Sequence, residues 1–247
     1  MKSADFVSLT DGAAAVFSTR SPLKTTPNED AVAVIPCGEG AAVLFVADGV
    51  GGGPAGEQPS THAVEVLRRT LAGSVRDGDL LRTAIINGIE AANDKIQELG
   101  LGAATTLAAV EIQDNQVRPY HVGDSMILVV GQRGKIKLQT ISHSPVGYAV
   151  ESGLLDESEA MHHEDRHLVS NLLGTPEMRI ELGPTIPLAR HDTLVLASDG
   201  LFDNLHLDEI VESVRKGPLD KVIDRLVGRA QKRMVEPREG SRRNPTI

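Results

Sequence analysis

Helical and strand patterns occupy separate blocks of this chain and do not alternate. Residues 30–47 predict an antiparallel hairpin, because two apolar runs flank the tight glycine-containing turn CGEG. Helical spacing of apolar residues follows over 63–71 and 81–99, and we expect Gly73 to end the first of these helices. A second strand block at 103–139, with short turns, predicts an antiparallel meander.

The separation of the two patterns argues against repeated βαβ units around a parallel sheet. A further apolar strand pattern at 192–197 precedes helical patterns near 206–216 and 218–234. We therefore expect an α+β fold, a β-sandwich flanked by helices. No linker or internal repeat divides the sequence, so residues 1–247 are predicted to form a single domain.

Amino-acid composition limits the classes of partner that the protein is expected to bind and the cellular compartment in which it is expected to lie. The chain has 25 Lys and Arg against 34 Asp and Glu, a net charge of −9, with few aromatic residues, which argues against nucleic acid as a partner. Cys37 is the single cysteine, so neither an internal disulfide nor a thiolate metal site is expected. No apolar run reaches the roughly 18 residues of a membrane span, and the start resembles no signal peptide. We expect a cytoplasmic protein that does not bind membranes.

Two apolar strand patterns each stop at an Asp-Gly pair, Asp48-Gly49 and Asp199-Gly200. Asp-Gly is a common turn dipeptide, so neither pair alone predicts a site. Three further acidic residues follow the same rule of lying at predicted strand ends: Glu29, Asp30 and Asp124. Five carboxylates in one cleft would repel one another unless cations lay between them, and Mg²⁺ and Mn²⁺ prefer such oxygen ligands. The set predicts a divalent-cation site.

Eight short motifs occur in a fixed order: NEDA at 28–31, VADGVGG at 46–52, GEQPS at 56–60, GAATTL at 102–107, HVGDS at 121–125, SHS at 142–144, SNLLG at 170–174 and ASDGLFD at 197–203. Together they resemble the motif series of the metal-dependent serine/threonine protein phosphatases (PPM, type 2C) in their bacterial form. The resemblance covers roughly residues 10–205. It implies a four-layer α-β-β-α sandwich, in which two antiparallel sheets are flanked by helix pairs.

The resemblance also implies an activity and its cofactors. Two Mn²⁺ or Mg²⁺ ions, with a third at a weaker site, would activate a water that hydrolyses phosphoserine and phosphothreonine in proteins phosphorylated by a serine/threonine kinase. By matching motif, Asp48 would bridge the two ions, the Gly49 carbonyl would bind one of them and Asp199 would bind the other. Glu29 and Asp30 would hold metal-bound water. Asp124, together with Asp199, would form the weaker third site.

Two departures from the family pattern concern catalysis. Val50 occupies the position where some family members carry a histidine, a candidate general acid, and valine has no proton to donate. Thr25 occupies the position of the phosphate-binding arginine. Arg20 and Lys24 are the nearby cations, and we favour Arg20 because its guanidinium can bind phosphate through two parallel hydrogen bonds.

A third departure lies in residues 236–247, which lack the last strand of the family pattern. Arg243 lies where the family has a carboxylate ligand. Three explanations follow: the chain binds its first metal with fewer carboxylates, the chain is a shortened or degenerate copy, or our alignment of these residues with the family pattern is wrong. The sequence leaves these alternatives open. A phosphatase-like binding or regulatory domain with weak or no turnover therefore remains an alternative to an active enzyme.

Two other enzyme classes share local motifs with the chain. Gly51-x-Gly53-x-x-Gly56 satisfies the dinucleotide-binding fingerprint, but a second helix follows where a parallel strand is required. Gly123-Asp124-Ser125 imitates a GDSL esterase motif, but Ser125 opens a strand and not a helix. Neither context supports its class.

Overall fold

The computed structural model describes residues 4–50, 56–78, 80–100 and 102–236. The strands in these ranges are β1 Asp5–Leu9, β2 Gly12–Val16, β3 Asp30–Pro36, β4 Ala41–Val50, β5 Ala104–Thr105, β6 Leu107–Gln113, β7 Gln116–Val122, β8 Met126–Val130, β9 Ile136–Gln139, β10 Glu181–Leu182, β11 Ile186–Pro187 and β12 Thr193–Ala197. The helices are α1 Glu57–Asp77, α2 Leu81–Gln97, α3 Pro145–Glu151, α4 Glu157–Ala160, α5 Asp199–Phe202, α6 Leu207–Val214 and α7 Leu219–Val235.

The strands form one large and one small antiparallel sheet, with a separate hairpin. The large sheet has the order β10-β7-β6-β4-β3, with β5 paired to β4 and β11 paired to β7. The small sheet has the order β12-β8-β9, and β1 pairs with β2 alone. None of the helices in the described ranges has the length and apolar character needed to cross a membrane.

Alternation of side chains along each central strand creates the layers. Val43 and Phe45 of β4 pack against the pair α1 and α2, whereas Leu44 between them packs into the interior between the sheets. In the small sheet, Leu128 of β8 packs on the α6 and α7 side and Val129 packs between the sheets. The order is helix pair, sheet, sheet, helix pair, so the predicted α-β-β-α sandwich is confirmed.

The predicted meander over 103–139 is wrong in one respect, because β7 and β8 do not pair. β7 belongs to the large sheet and β8 to the small one, and the chain crosses between them at Gly123 with φ +105°. Short turns between apolar strands are equally compatible with a hairpin and with a step from one sheet to another. Local pattern alone could not distinguish the two.

The predicted end of the first helix at Gly73 is also wrong. α1 continues to Asp77 and ends at Gly78, which adopts the left-handed φ of +76°. A glycine inside a helix costs only about 1 kcal/mol relative to alanine, and the packing of α1 on α2 and the large sheet exceeds this cost. Gly51, Gly53 and the tail from 237 to 247, with Arg243, lie outside the described residues.

Candidate active site

Strand register brings the first two acidic residues together. Asp30 opens β3 and lies directly opposite Asp48 on β4 in the antiparallel pair. Residues opposite each other on one face of such a pair have Cβ atoms roughly 4.5–5.5 Å apart. The hairpin predicted from apolar periodicity therefore places two carboxylates side by side.

Strand register in the small sheet likewise brings together the other two acidic residues, Asp124 and Asp199. Ala197, the last residue of β12, pairs with Met126, the first residue of β8. Asp199 follows β12 and Asp124 precedes β8, so both lie at the same edge of this sheet. Asp199 begins the short helix α5, whose N-cap is Ser198.

The backbone of Asp48 is held by two buried threonines. The Asp48 carbonyl accepts hydrogen bonds from the Thr106 N–H at 2.9 Å and the Thr105 hydroxyl at 2.8 Å. The Asp48 N–H donates to the Thr106 Oγ1 at 3.1 Å. Both threonines are fully buried. The Asp48 carboxylate is therefore presented from a fixed strand end.

Two positions close to Asp48 require glycine, Gly49 near the end of β4 and Gly56 directly before α1. A Cβ on Gly49 would lie 2.2 Å from the Gly56 carbonyl oxygen, and a Cβ on Gly56 would lie 2.4 Å from the Glu29 Oε1. The Gly49 N–H donates to the Glu29 carbonyl at 3.1 Å, and the Ser60 hydroxyl donates to the same oxygen. Glu29 is thus packed against the end of β4, which carries Gly49.

Of the two nearby cations, Lys24 lies closer to the acidic cluster. The Lys24 Nζ donates to the Glu29 Oε2 at 2.8 Å, and the charges of Glu29, Asp48 and Asp199 raise the Lys24 pKa against the lowering effect of burial. The Arg20 Nη1 donates to the backbone carbonyl of Thr25 at 3.1 Å.

The raised pKa values of the four aspartates agree with their lying in one cleft. Burial and the charges of Asp30, Asp199 and Asp124 raise the pKa of Asp48 to about 9. Burial and the charge of Asp199 raise the pKa of Asp30 to about 6 and that of Asp124 to about 7. Burial raises the pKa of Asp199 as well, although Lys24 and Arg166 oppose the shift.

A fifth aspartate, Asp203, was not predicted from the sequence. It follows α5, and burial together with the charge of Asp199 raises its pKa to about 6. Its carboxylate forms an ion pair with the Arg166 Nε at 3.3 Å. In the sequence Asp203 looks like the end of a short helix, and its position one helical turn after Asp199 was the available signal.

The donor set fits hard divalent cations. The cleft holds four aspartates with raised pKa values, and Lys24 and Arg166 are the cations that act on Asp199. Carboxylates this close are mutually destabilised when ionised, and bound divalent cations remove that cost. Oxygen ligands of this type suit Mg²⁺ and Mn²⁺.

Comparison with known proteins agrees with this geometry. The sequence profile of the family described as Protein phosphatase 2C matches residues 19–236. Protein phosphatase PhpP of Streptococcus pneumoniae is 33% identical over 199 residues, covering 77% of this chain and 80% of the relative.

Solved structures give the same result. The serine/threonine phosphatase of S. agalactiae superimposes with a TM-score of 0.75 at 30% identity, covering 88% of this chain and 92% of that one. The catalytic domain of the serine/threonine protein phosphatase PstP, solved in complex with two manganese ions, superimposes with a TM-score of 0.68 at 28% identity and covers 88% of this chain and 90% of that one.

Proposed function

The chain belongs to the protein phosphatase 2C family, and from this premise we propose how its own residues carry out metal-dependent hydrolysis of phosphoserine and phosphothreonine in proteins. The observation that carries the proposal is the convergence of Asp30, Asp48, Asp124 and Asp199 at neighbouring strand ends, where the charge of Asp199 raises the pKa values of the other three. Divalent cations bound in such a cleft would replace the protons that its carboxylates otherwise hold at neutral pH.

We assign the ligands as follows. Asp48 and Asp199 would hold two Mn²⁺ or Mg²⁺ ions, with the Gly49 carbonyl as a further ligand. Asp124 holds a third ion more weakly. The two manganese ions of PstP support Mn²⁺ as the metal to test first.

When bound, the cations supply charge neutralisation for the phosphoryl group and a lowered pKa for the attacking water. The chain itself supplies position. Glu29 and Asp30 would accept hydrogen bonds from the water and orient it, because Glu29 is packed on Gly56 and Asp30 is fixed opposite Asp48 by strand register. Lys24, 58% exposed at the rim, can reach a phosphoryl oxygen of an incoming protein substrate.

Val50 has no proton to give to the departing serine or threonine oxygen. We expect the leaving group to limit the rate, so that an aryl phosphate, whose leaving oxygen needs no proton, is hydrolysed faster than a phosphothreonine peptide.

The biological setting that we propose is signalling in the cytoplasm. The substrates are proteins phosphorylated by a serine/threonine kinase, which this enzyme opposes. The free thiol of Cys37 is of the kind that persists in a reducing compartment.

The direct test is release of phosphate from a phosphothreonine peptide in Mn²⁺ and in EDTA, with a phosphotyrosine peptide as the specificity control. We expect release from the phosphothreonine peptide in Mn²⁺ alone. Tight binding of the phosphopeptide without any release would instead support a phosphatase-like binding domain.

A further inference from the structure

His143, in the loop between β9 and α3, holds both backbone groups of Gly123. The His143 N–H donates to the Gly123 carbonyl at 2.9 Å, and the Gly123 N–H donates to the His143 Nδ1 at 3.1 Å. His143 is 4% exposed. Gly123 directly precedes Asp124, so these two hydrogen bonds fix the start of the turn that carries this carboxylate.

The other side of the same turn is fixed by Thr106. A Cβ on Gly123 would lie 2.8 Å from the Thr106 Cβ, so the turn is pressed against this side chain. The Thr106 Oγ1 lies 2.7 Å from the Ser125 Oγ and accepts the Asp48 N–H. Thr106 therefore connects the turn to Asp48, and His143 binds the backbone of the same turn.

The orientation of the His143 ring is itself set by two partners. The Asn171 Nδ2 donates to the His143 Nδ1 at 3.0 Å, and the Asn171 amide is anchored by two hydrogen bonds to the backbone of Arg179. Because Nδ1 accepts hydrogen bonds from two donors, the neutral ring carries its proton at Nε2, which donates to the Glu181 Oε2 at 2.9 Å.

We propose that His143 is a positioning residue, which holds the Gly123–Ser125 turn so that Asp124 faces Asp48 before any cation binds. The proposal deepens the function assigned above and rests on it. Supporting hydrogen bonds around a metal ligand commonly change metal affinity by roughly 10 to 100-fold. Loss of the His143 acceptor should raise the Mn²⁺ concentration needed for half-maximal turnover by a factor in this range.

The same ring belongs to a cluster that has the composition of a transition-metal site. His121, His143 and Glu181 place ligand atoms within 4.8 Å of one another, and neither ring nitrogen of His121 makes a hydrogen bond of normal geometry with the described residues. However, the His143 Nε2 cannot bind a metal while it carries a proton. If that proton moved to the His143 Nδ1, it would point at the N–H donors of Gly123 and Asn171. The hydrogen bonds therefore favour the positioning role, and Zn²⁺ binding becomes an outcome of the test.

The test compares four variants in metal-free protein by amide hydrogen exchange of residues 123–125. His143→Phe removes the acceptor, and His143→Gln removes the Nδ1 acceptor while keeping an amide near Glu181. His143→Asn keeps an oxygen at the Nδ1 position. His121→Phe is the control for the neighbouring ring, which lies 4.4 Å from that of His143 between centroids. Its exchange is compared at Gly123 alone, because the His121 ring faces the backbone of Ser125.

We expect at least tenfold faster exchange at 123–125 in His143→Phe and His143→Gln, with core amides of α2 unchanged. His143→Asn should exchange like the wild type over 123–125, and His121→Phe should do so at Gly123. The Mn²⁺ concentration for half-maximal turnover should follow the same order. If His143→Phe does not fold, the comparison of His143→Gln with His143→Asn decides the question alone.

Equal exchange in His143→Gln and His143→Asn would overturn the proposal. So would stoichiometric Zn²⁺ binding by the wild type that is lost in His121→Phe, since this would assign the cluster to a metal. If the wild type releases no phosphate in Mn²⁺, the proposed function fails, but the exchange comparison in metal-free protein still reports on His143.

Discussion

At the level of single residues, the cleft is organised around the unfavourable proximity of its carboxylates. The pKa of Asp48 is about 9, because its carboxyl is partly buried and faces the charges of Asp30, Asp199 and Asp124. This arrangement costs stability in the absence of cations and gives the protein its affinity for them. Substituting a carboxylate at the edge of the cluster should therefore change Mn²⁺ binding less than substituting one at its centre.

Asp124→Ala tests the edge of the cluster. We expect tight Mn²⁺ binding to remain nearly unchanged and turnover to fall, because Asp124 is assigned only to the weaker third ion. Calorimetric Mn²⁺ titration alongside steady-state kinetics measures both quantities. Loss of all Mn²⁺ binding would show that Asp124 belongs to the central pair.

Lys24 and Arg20 can be distinguished by substitution. The sequence favoured Arg20 as the phosphate ligand, whereas the contacts place the Lys24 ammonium beside Glu29 and the Arg20 guanidinium on a backbone carbonyl. We expect Lys24→Ala to raise KM for a phosphothreonine peptide severalfold, and Arg20→Ala to change KM less. The reverse order in KM would return the role to Arg20.

At the level of elements, strand register delivers the carboxylates and helix packing holds the strands. Leu67 of α1 is fully buried between α2 and the large sheet, whereas Leu154 is 83% exposed. Leu67→Ala should reduce the free energy of unfolding by about 2–5 kcal/mol. Leu154→Ala is the control and should change it by less than about 0.5 kcal/mol. Urea unfolding in EDTA measures both, and equal effects would contradict the layer assignment.

Most elements could be predicted because apolar spacing is a local signal. The hairpin of β3 and β4, the pair α1 and α2, and the late strand β12 all follow from periods of 2 or 3.6 residues. The step from β7 to β8 could not be predicted, because pairing depends on which sheet covers each face. The same limit applies to the site: Asp48 and Asp199 stand out at strand ends, whereas Asp203 and Lys24 reach the cleft only through a short helix and a loop.

At the level of the whole molecule, the charge of the cleft should make stability depend on pH. The native pKa values of Asp124 and Asp48, about 7 and 9, exceed the ordinary value of 3.8, so the native state binds more protons than the unfolded state. Their stabilising contribution is complete below pH 4 and is lost as pH rises through the native pKa values. Metal-free protein should therefore have a lower Tm at pH 8.5 than at pH 6.5.

Between pH 6.5 and pH 8.5, His121 does not contribute a change in stability of the opposite sign. Burial and the charge of His143 lower the His121 pKa to about 3, so its contribution is lost only as pH falls from 6.5 toward 3. Two comparisons check the assignment: Mn²⁺ should raise Tm more at pH 8.5 than at pH 6.5, and Asp48→Asn should reduce the fall in Tm. A Tm that rises with pH in EDTA would contradict the account.

The central claim is that Asp48 and Asp199 bind the cations on which hydrolysis depends. The most direct measurement is Mn²⁺ bound per chain together with phosphate release from a phosphothreonine peptide, for the wild type, Asp48→Asn and Asp199→Asn. The matched control is Asp114→Asn, in an exposed turn where φ is +51°, a conformation that asparagine adopts readily.

We expect the control to behave as the wild type. Asp48→Asn and Asp199→Asn should each stay folded and bind fewer Mn²⁺ ions. Their rate of phosphate release should fall by more than the roughly 10 to 100-fold that loss of an outer-shell partner of a metal ligand costs. Undiminished Mn²⁺ binding and phosphate release in Asp48→Asn or Asp199→Asn would contradict the assignment of these carboxylates as the metal ligands.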